Sequence, residues 1–264
     1  MKRHVPWPAI EAHRGGSANA PENTLAAFKH ALALKAPWLE LDIHPSRDGA
    51  LMVMHDDTVD RTTNGSGAVS ELNFDALRRL DAGAWFGPQF AGERIPRLEE
   101  VLELLVATDT RLNVEIKPFP TQTTVPATLI ALLRRFGKER QYVVSSFDLE
   151  ALLQMRALAP ETALALLGDG HEILAPALQH RLEWIHPQYQ TLEEGIVAQA
   201  HAAGIYVNVW TIDNPATLES WRAMGVDKIC TNCPAVMLAA TDGIARGVLA
   251  ESEGTRFFGT GKRL

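Results

Sequence analysis

Histidines, acids and cations recur in four short segments of this 264-residue sequence: His13-Arg14, Glu40-Leu41-Asp42, His55-Asp56 and Glu115-Ile116-Lys117. Each closes a run of apolar residues. Successive side chains of a β-strand point to opposite faces, so Glu40 shares a face with Asp42, and Glu115 with Lys117. Three carboxylates on two strands can then converge on one hard divalent cation. Carboxylate oxygens suit magnesium, calcium or manganese, and no histidine pair at metal spacing or cysteine cluster argues for zinc. Arg14 and Lys117 are suited to hold the anionic oxygens the cation leaves free, Arg as a planar fork and Lys as a point charge. His13 and His55 are then the proton carriers, because an unperturbed pKa of about 6.5 lets one accept and the other donate near neutral pH. Such a set is what metal-assisted attack on a phosphate diester requires.

Positioning these groups needs strands that end at one place. Strands are expected at residues 9–13, 38–43, 111–116, 141–146, 162–167, 183–186, 204–210 and 227–231, with helical patterns between them, among them 22–34, 98–107, 126–136, 149–158, 192–202 and 215–224. Eight strand–helix units in about 250 residues predict an α/β protein built as a closed (β/α)8 TIM barrel, with catalytic groups at the C-terminal strand ends. His55 must arrive by another route, since residues 51–55 follow the second strand too closely for a parallel crossover. Asp48-Gly49 is a two-residue hairpin signal, and that loop pairs Arg47 with Ala50 and Asp42 with His55. The hairpin opens a small insertion after strand 2, about 55–92, with a polar stretch from Arg61 to Gly67 and a short amphipathic helix near Asp75 to Leu80. At that length it is either a lid or wall over the barrel mouth or a packed excursion.

A hydrophobic content of 46% supports a large core, and no linker-like window interrupts it, so one domain over 1–264 is expected. A net charge of -7 gives no reason to expect nucleic acid. Lys2-Arg3 is followed by no apolar signal region, and no stretch approaches the roughly 18 apolar residues of a membrane span, so a soluble cytoplasmic protein is expected. Cys230 and Cys233 stand at C-x-x-C spacing, yet without a second pair they read as small residues kept reduced at a strand end. The tail, about 241–264, reads as a helix continuation and then a Gly-rich, partly basic segment. Its Phe257-Phe258 pair could dock on the barrel or on another subunit, which leaves a homo-oligomer open.

The run His13-Arg14-Gly15-Gly16 with Ala20-Pro21-Glu22-Asn23-Thr24, then Glu40-Leu41-Asp42, Arg47-Asp48-Gly49, His55-Asp56-Asp57-Thr58, Arg61-Thr62-Thr63-Asn64-Gly65, Ile95-Pro96-Arg97-Leu98-Glu99-Glu100 and Glu115-Ile116-Lys117, resembles the glycerophosphodiester phosphodiesterases, of the bacterial cytoplasmic type. The resemblance extends from Ala9 to about Ala240. It implies a (β/α) barrel that binds one divalent cation through Glu40, Asp42 and Glu115, Mg²⁺ ahead of Ca²⁺ or Mn²⁺, with His13 and His55 as the acid–base pair. Arg14 and Lys117 match the family's phosphate-binding positions. Trp210, in Val207-Asn208-Val209-Trp210-Thr211, would contact the glycerol moiety unless it only packs the rim. The implied reaction is hydrolysis of a small glycerophosphodiester, such as glycerophosphocholine or glycerophosphoethanolamine, to glycerol 3-phosphate and an alcohol. After Thr231-Asn232, where that family often has an acidic or aromatic residue, this sequence has Cys233.

Bland readings stand beside several of these residues. Asp56 is read as capping a turn rather than orienting a histidine, and Glu22 and Asn23 as capping the first helix. His4, His30, His44, His171, His180, His186 and His201 are read as surface or structural. Two further functions compete with the small-diester hydrolase. A lysophospholipid-type diesterase on the same scaffold would show an apolar groove, for which Trp85, Phe86 and Phe90 are candidates. A catalytically silent binding protein would be expected to lack one histidine of the pair, and both are present.

Overall fold

Side-chain alternation along the strands decides the architecture. Residues of one parity, including Ile10, Leu39, Leu41, Ile43, Leu112, Val114, Val144, Leu164, Ile185, Val207 and Ile229, are apolar and buried in one large cluster with helix residues such as Phe28, Leu102, Leu129 and Leu152. Those of the other parity, Glu11, Glu40, Asp42, Asn113, Glu115, Ser145, His186, Asn208 and Lys228, are polar and equally buried. Only a closed sheet hides both sets, with apolar faces outward under helices and polar ones inward.

The computed structural model describes residues 8–117, 124–137, 141–193 and 195–243. Within them the strands are β1 (Ala9–Ala12), β2 (Trp38–Pro45), β3 (Leu51–Val53), β4 (Arg111–Ile116), β5 (Tyr142–Ser146), β6 (Ala163–Gly168), β7 (Trp184–Pro187), β8 (Tyr206–Val209) and β9 (Lys228–Thr231). The helices are α1 (Leu25–Ala33), α2 (Phe74–Leu77), α3 (Leu98–Leu105), α4 (Val125–Arg135), α5 (Leu149–Leu158), α6 (Gly170–His180), α7 (Ile196–Ala202) and α8 (Leu218–Met224), and a last helix covers 234–243. The order β1-β9-β8-β7-β6-β5-β4-β2 closes through a β1–β2 pairing, and every pair in that ring is parallel. The expected (β/α)8 barrel is therefore present, with β3 as an antiparallel addition to β2. The expected C-terminal tail with Phe257-Phe258 lies outside the described residues.

The expected hairpin register is corrected by one residue. Ile43 pairs with Val53, His44 with Met52 and Pro45 with Leu51, and the Met54 amide donates to the Asp42 carbonyl at 3.0 Å. Asp42 thus faces Met54, not His55. The loop has three residues, Arg47, Asp48 and Gly49, because Gly49 takes a left-handed conformation at φ 86° while the Asp48 carboxylate accepts from Ser46 Oγ and the Phe74 amide. His55 is carried one position past the last pair, to the rim of the barrel.

From there the insertion packs on a core of its own: Met52, Met54, Val59, Val69, Leu77, Ala82 and Ile95. Trp85, Phe86 and Phe90 stack edge-to-face on one another, with centroids 5.6 and 5.5 Å apart, and do not line the cavity at the barrel mouth. Trp85 stays 43% exposed, so these aromatics form a surface cluster of their own rather than a wall of the mouth cavity.

Behind β1 the chain turns sharply, with Arg14, Gly15 and Gly16 all at positive φ. A Cβ on Gly15 would stand 2.8 Å from Ala27 Cβ and 2.9 Å from the Ala27 carbonyl carbon. Gly15→Ala is accordingly expected to destabilise the fold by about 2–5 kcal/mol through backbone strain and overpacking, read as a lowered denaturant midpoint at unchanged slope.

Candidate active site

The four chemical segments meet at the C-terminal mouth around a cavity of about 280 Å³. Its polar side has His13, Arg14, Glu40, His55, Glu115 and Lys117, its other side Phe147, Leu167 and Trp210, and its floor includes Glu11, Asn113, His186, Asn208 and Cys230.

Each charged group is held from behind. Arg14, at φ 51°, turns its amide to Glu40 Oε2 at 2.8 Å, its Nη1 to Glu22 at 2.8 Å and its Nε to within 3.5 Å of Asp42 Oδ2. Lys117 Nζ donates to Glu115 at 2.6 Å and lies 2.9 Å from Asp42 Oδ1. Asn23 does not cap α1; its Nδ2 donates to Asp42 Oδ2 at 2.8 Å, and the cap is Thr24, whose hydroxyl accepts from the Ala27 amide. Glu22 does not cap either. It takes ion pairs from Arg14 and Arg61.

Carboxylate oxygens of Glu40, Asp42 and Glu115 lie within 4.8 Å of one another, all buried. Three acids with two neighbouring cations are electrostatically uncomfortable. Burial, with Asp42 and Glu115 close by, pushes Glu40 well above the usual carboxyl range, and burial beside Asp42 pushes Glu115 up to about 7. Burial works the same way on Asp42, but Lys117 and Arg14 outweigh it and hold Asp42 down at about 2. Glu40 Oε1 is buried with no hydrogen-bond partner. An all-oxygen set with surplus negative charge and an orphaned acceptor fits a hard divalent cation.

The histidines are oriented differently. His13 Nδ1 is 2.7 Å from Asn232 Oδ1, and the Asn232 amide is fixed because its Nδ2 donates to Asp213 at 2.8 Å. Asn232 Oδ1 must therefore accept, His13 Nδ1 carries the proton, and Nε2 keeps its lone pair. Burial and then the Arg14 charge lower His13 to about 4, so it is neutral near pH 7. His55 Nδ1 instead donates to the Asp56 carboxylate at 2.7 Å, and Arg61 clamps Asp56 at 2.6 and 2.9 Å. Asp56 thus orients a histidine, contrary to the turn-cap reading. His44 also has a local partner, the His55 carbonyl at 3.1 Å from Nε2.

Trp210 stands at the end of β8, its indole N–H donating to the His186 carbonyl at 2.8 Å, and packs edge-to-face on Phe147 with centroids 5.8 Å apart. Phe147 was not singled out from the sequence, and its one signal is an aromatic directly after a strand end. Cys230 and Cys233 are free thiols. Burial, then Glu11 and Glu40, pushes the Cys230 thiol up, which keeps it protonated.

The fold and this mouth define a (β/α)8-barrel enzyme whose polar machinery sits where the strands end. A family profile described as the glycerophosphoryl diester phosphodiesterase family matches residues 13–236, and the chain belongs to that family. It is 38% identical over 232 residues to a glycerophosphodiester phosphodiesterase of Caldanaerobacter subterraneus subsp. tengcongensis, covering 87% of this chain and 96% of that protein. The crystal structure of a glycerophosphodiester phosphodiesterase from Agrobacterium tumefaciens superimposes with a TM-score of 0.78 at 33% identity, over 88% of this chain and 99% of the other. An Oleispira antarctica phosphodiesterase in complex with the product sn-glycerol-3-phosphate gives a TM-score of 0.83 at 30% identity, over 89% and 97% of the two chains.

Proposed function

We propose that this enzyme hydrolyses small glycerophosphodiesters, such as glycerophosphocholine or glycerophosphoethanolamine, to glycerol 3-phosphate and the free alcohol. The observation that carries the reading is the meeting, at one barrel mouth, of the three-carboxylate set with two histidines whose Nδ1 atoms are already engaged. Each therefore has Nε2 left for proton transfer.

Glu40, Asp42 and Glu115 would hold one divalent cation, Mg²⁺ ahead of Ca²⁺ or Mn²⁺, which when bound polarises a phosphoryl oxygen and stabilises charge built up in the transition state. Arg14 and Lys117 bind the remaining phosphate oxygens. His13, neutral and with a free Nε2 lone pair, takes the proton from the nucleophile, either water or the substrate's own 2-hydroxyl. Burial lowers the His55 pKa, with Asp42 and the Asp56 hydrogen bond offsetting part of that and Lys117 and Arg14 adding to it; with Nδ1 held by Asp56, its Nε2 protonates the departing alcohol oxygen. Trp210 and Phe147 form an apolar wall against which the glycerol carbons rest. The enzyme is read as a one-domain cytoplasmic protein; among the described residues no helix is long and apolar enough to cross a membrane.

The small-diester reading is favoured over the lysophospholipid one because Trp85, Phe86 and Phe90 pack on one another and are not among the residues that line the mouth cavity. The test is release of glycerol 3-phosphate from several glycerophosphodiesters, before and after a chelator. Release is expected to cease with the chelator and return with added Mg²⁺, Ca²⁺ or Mn²⁺. Chelator-insensitive turnover would sink the mechanism.

A further inference from the structure

Cys230, on the floor of the mouth, has no part in the proposed hydrolysis, yet it lies against His13 and Glu40, which do. We infer that His13, Glu40 and Cys230 form a second metal site, selective for a borderline-soft ion such as Zn²⁺, whose occupation switches the enzyme off. One nitrogen of His13, one carboxylate oxygen of Glu40 and the Cys230 sulfur lie within 4.8 Å of one another. Thiolate, imidazole and carboxylate are the zinc ligand types, and three protein ligands with one position open to a cavity is how accessible zinc sites are built.

Three further observations point to a ligand rather than to chance proximity. Glu40 Oε1 is buried and unpartnered, and Glu40 and Cys230 are each only 3% exposed. His13 Nδ1 is committed to Asn232, the outer hydrogen bond that fixes Nε2 as a metal-binding nitrogen. The three residues come from the adjoining strands β2 and β9 and from the residue that follows β1, which pairs with both, so a rigid sheet sets their spacing. Cys233 takes no part.

Coordination replaces the thiol proton of Cys230, which leaves to solvent, by the metal. It occupies the same His13 nitrogen that the hydrolytic reading assigns to proton transfer, and it draws on Glu40, which the carboxylate trio shares. Bound Zn²⁺ is therefore inhibitory, and this consequence, unlike binding itself, rests on the proposed function.

Co²⁺ serves as the spectroscopic probe. One equivalent added to the wild type is expected to give a thiolate-to-cobalt charge-transfer absorption in the near ultraviolet, absent from Cys230→Val and retained by Cys233→Ala. Thermal melting shows whether Cys230→Val is folded, and Cys230→Ser supplies a polar replacement of similar size if it is not. Losing an outer-shell partner alone costs about 10–100-fold in metal affinity, so losing the thiolate should raise the Zn²⁺ concentration for half-inhibition by at least about 100-fold. A wild type without the cobalt band, or a band that survives in a folded Cys230→Val, overturns the site; equal Zn²⁺ sensitivity of the two proteins overturns the inhibition. If no diester were hydrolysed at all, the proposed function would fall, and the cobalt band would still decide the site.

Discussion

His55→Ala is expected to slow hydrolysis of an alkyl glycerophosphodiester by about 10²–10⁴-fold, the usual worth of a positioned general acid or base, and to lose most of that penalty when the leaving group is a nitrophenol. The reason lies in what stands behind each ring. Burial lowers His55 as it lowers His13, but His55 donates to Asp56, a carboxylate that Arg61 holds well below its ordinary range, so a proton on His55 has a fixed negative partner that His13 lacks. His13 leans on an uncharged amide and faces Arg14, a surrounding that keeps it a neutral acceptor. A phenolate departs without a proton, so the variant lacking the acid is rescued. His13→Ala lacks the base and should be slow on both substrates. The paired assays are initial rates of glycerol 3-phosphate release from the two diesters. Rescue of His13→Ala, or its failure in His55→Ala, would reverse or refute the assignment.

The second large effect is on stability and arises below the site. Lys228 and Glu11 form an ion pair with both side chains 0% exposed, Asn208 donates to Glu11 at 2.8 Å, and the ammonium sits 4.0 and 4.9 Å from the ring centroids of Trp38 and Trp184. Lys228→Met strands a carboxylate in the barrel interior and should cost about 3–5 kcal/mol. At about 2–4 °C per kcal/mol, the melting temperature should fall by roughly 6–20 °C. The double variant Glu11→Leu, Lys228→Met removes both charges and should recover most of the loss, since apolar replacement of a buried pair is often neutral or better. A single variant within about 1 kcal/mol of wild type, or a double variant as unstable as the sum of the singles, would show the pair to be dispensable.

The barrel was legible because its strands carry two signals at once: an apolar outward parity that a parallel sheet under helices requires, and acids at the inward positions near the strand ends. What stayed hidden was whatever depends on partners remote in sequence. Glu11 and Lys228 are 217 residues apart, and neither has a local pattern that announces the other. Glu22 and Asn23 resemble helix caps because they stand just ahead of α1, but Asp42 and Arg61, which claim them, arrive from other elements. Asp56 hides its partner for a related reason, since its clamp, Arg61, is placed by the fold of the insertion. The hairpin register failed by one residue because Asp-Gly suits both a two-residue loop and a three-residue loop with Gly left-handed, and the Asp48 contact to Phe74 that selects the latter lies 26 residues on.

That insertion has a kinetic and thermal corollary. His13 belongs to the barrel, whereas His55 follows directly on Met54, a member of the smaller apolar cluster, so the two histidines proposed to move protons stand on apolar clusters of unequal size. The smaller unit should open first, at a free energy below that of global unfolding. Amide hydrogens over residues 59–82 are expected to exchange with solvent faster than those of β4 and β5, and on heating the enzyme should go silent at a temperature where its barrel, followed by far-ultraviolet circular dichroism, is still intact. Coincident inactivation and unfolding would mean that the two clusters melt as one.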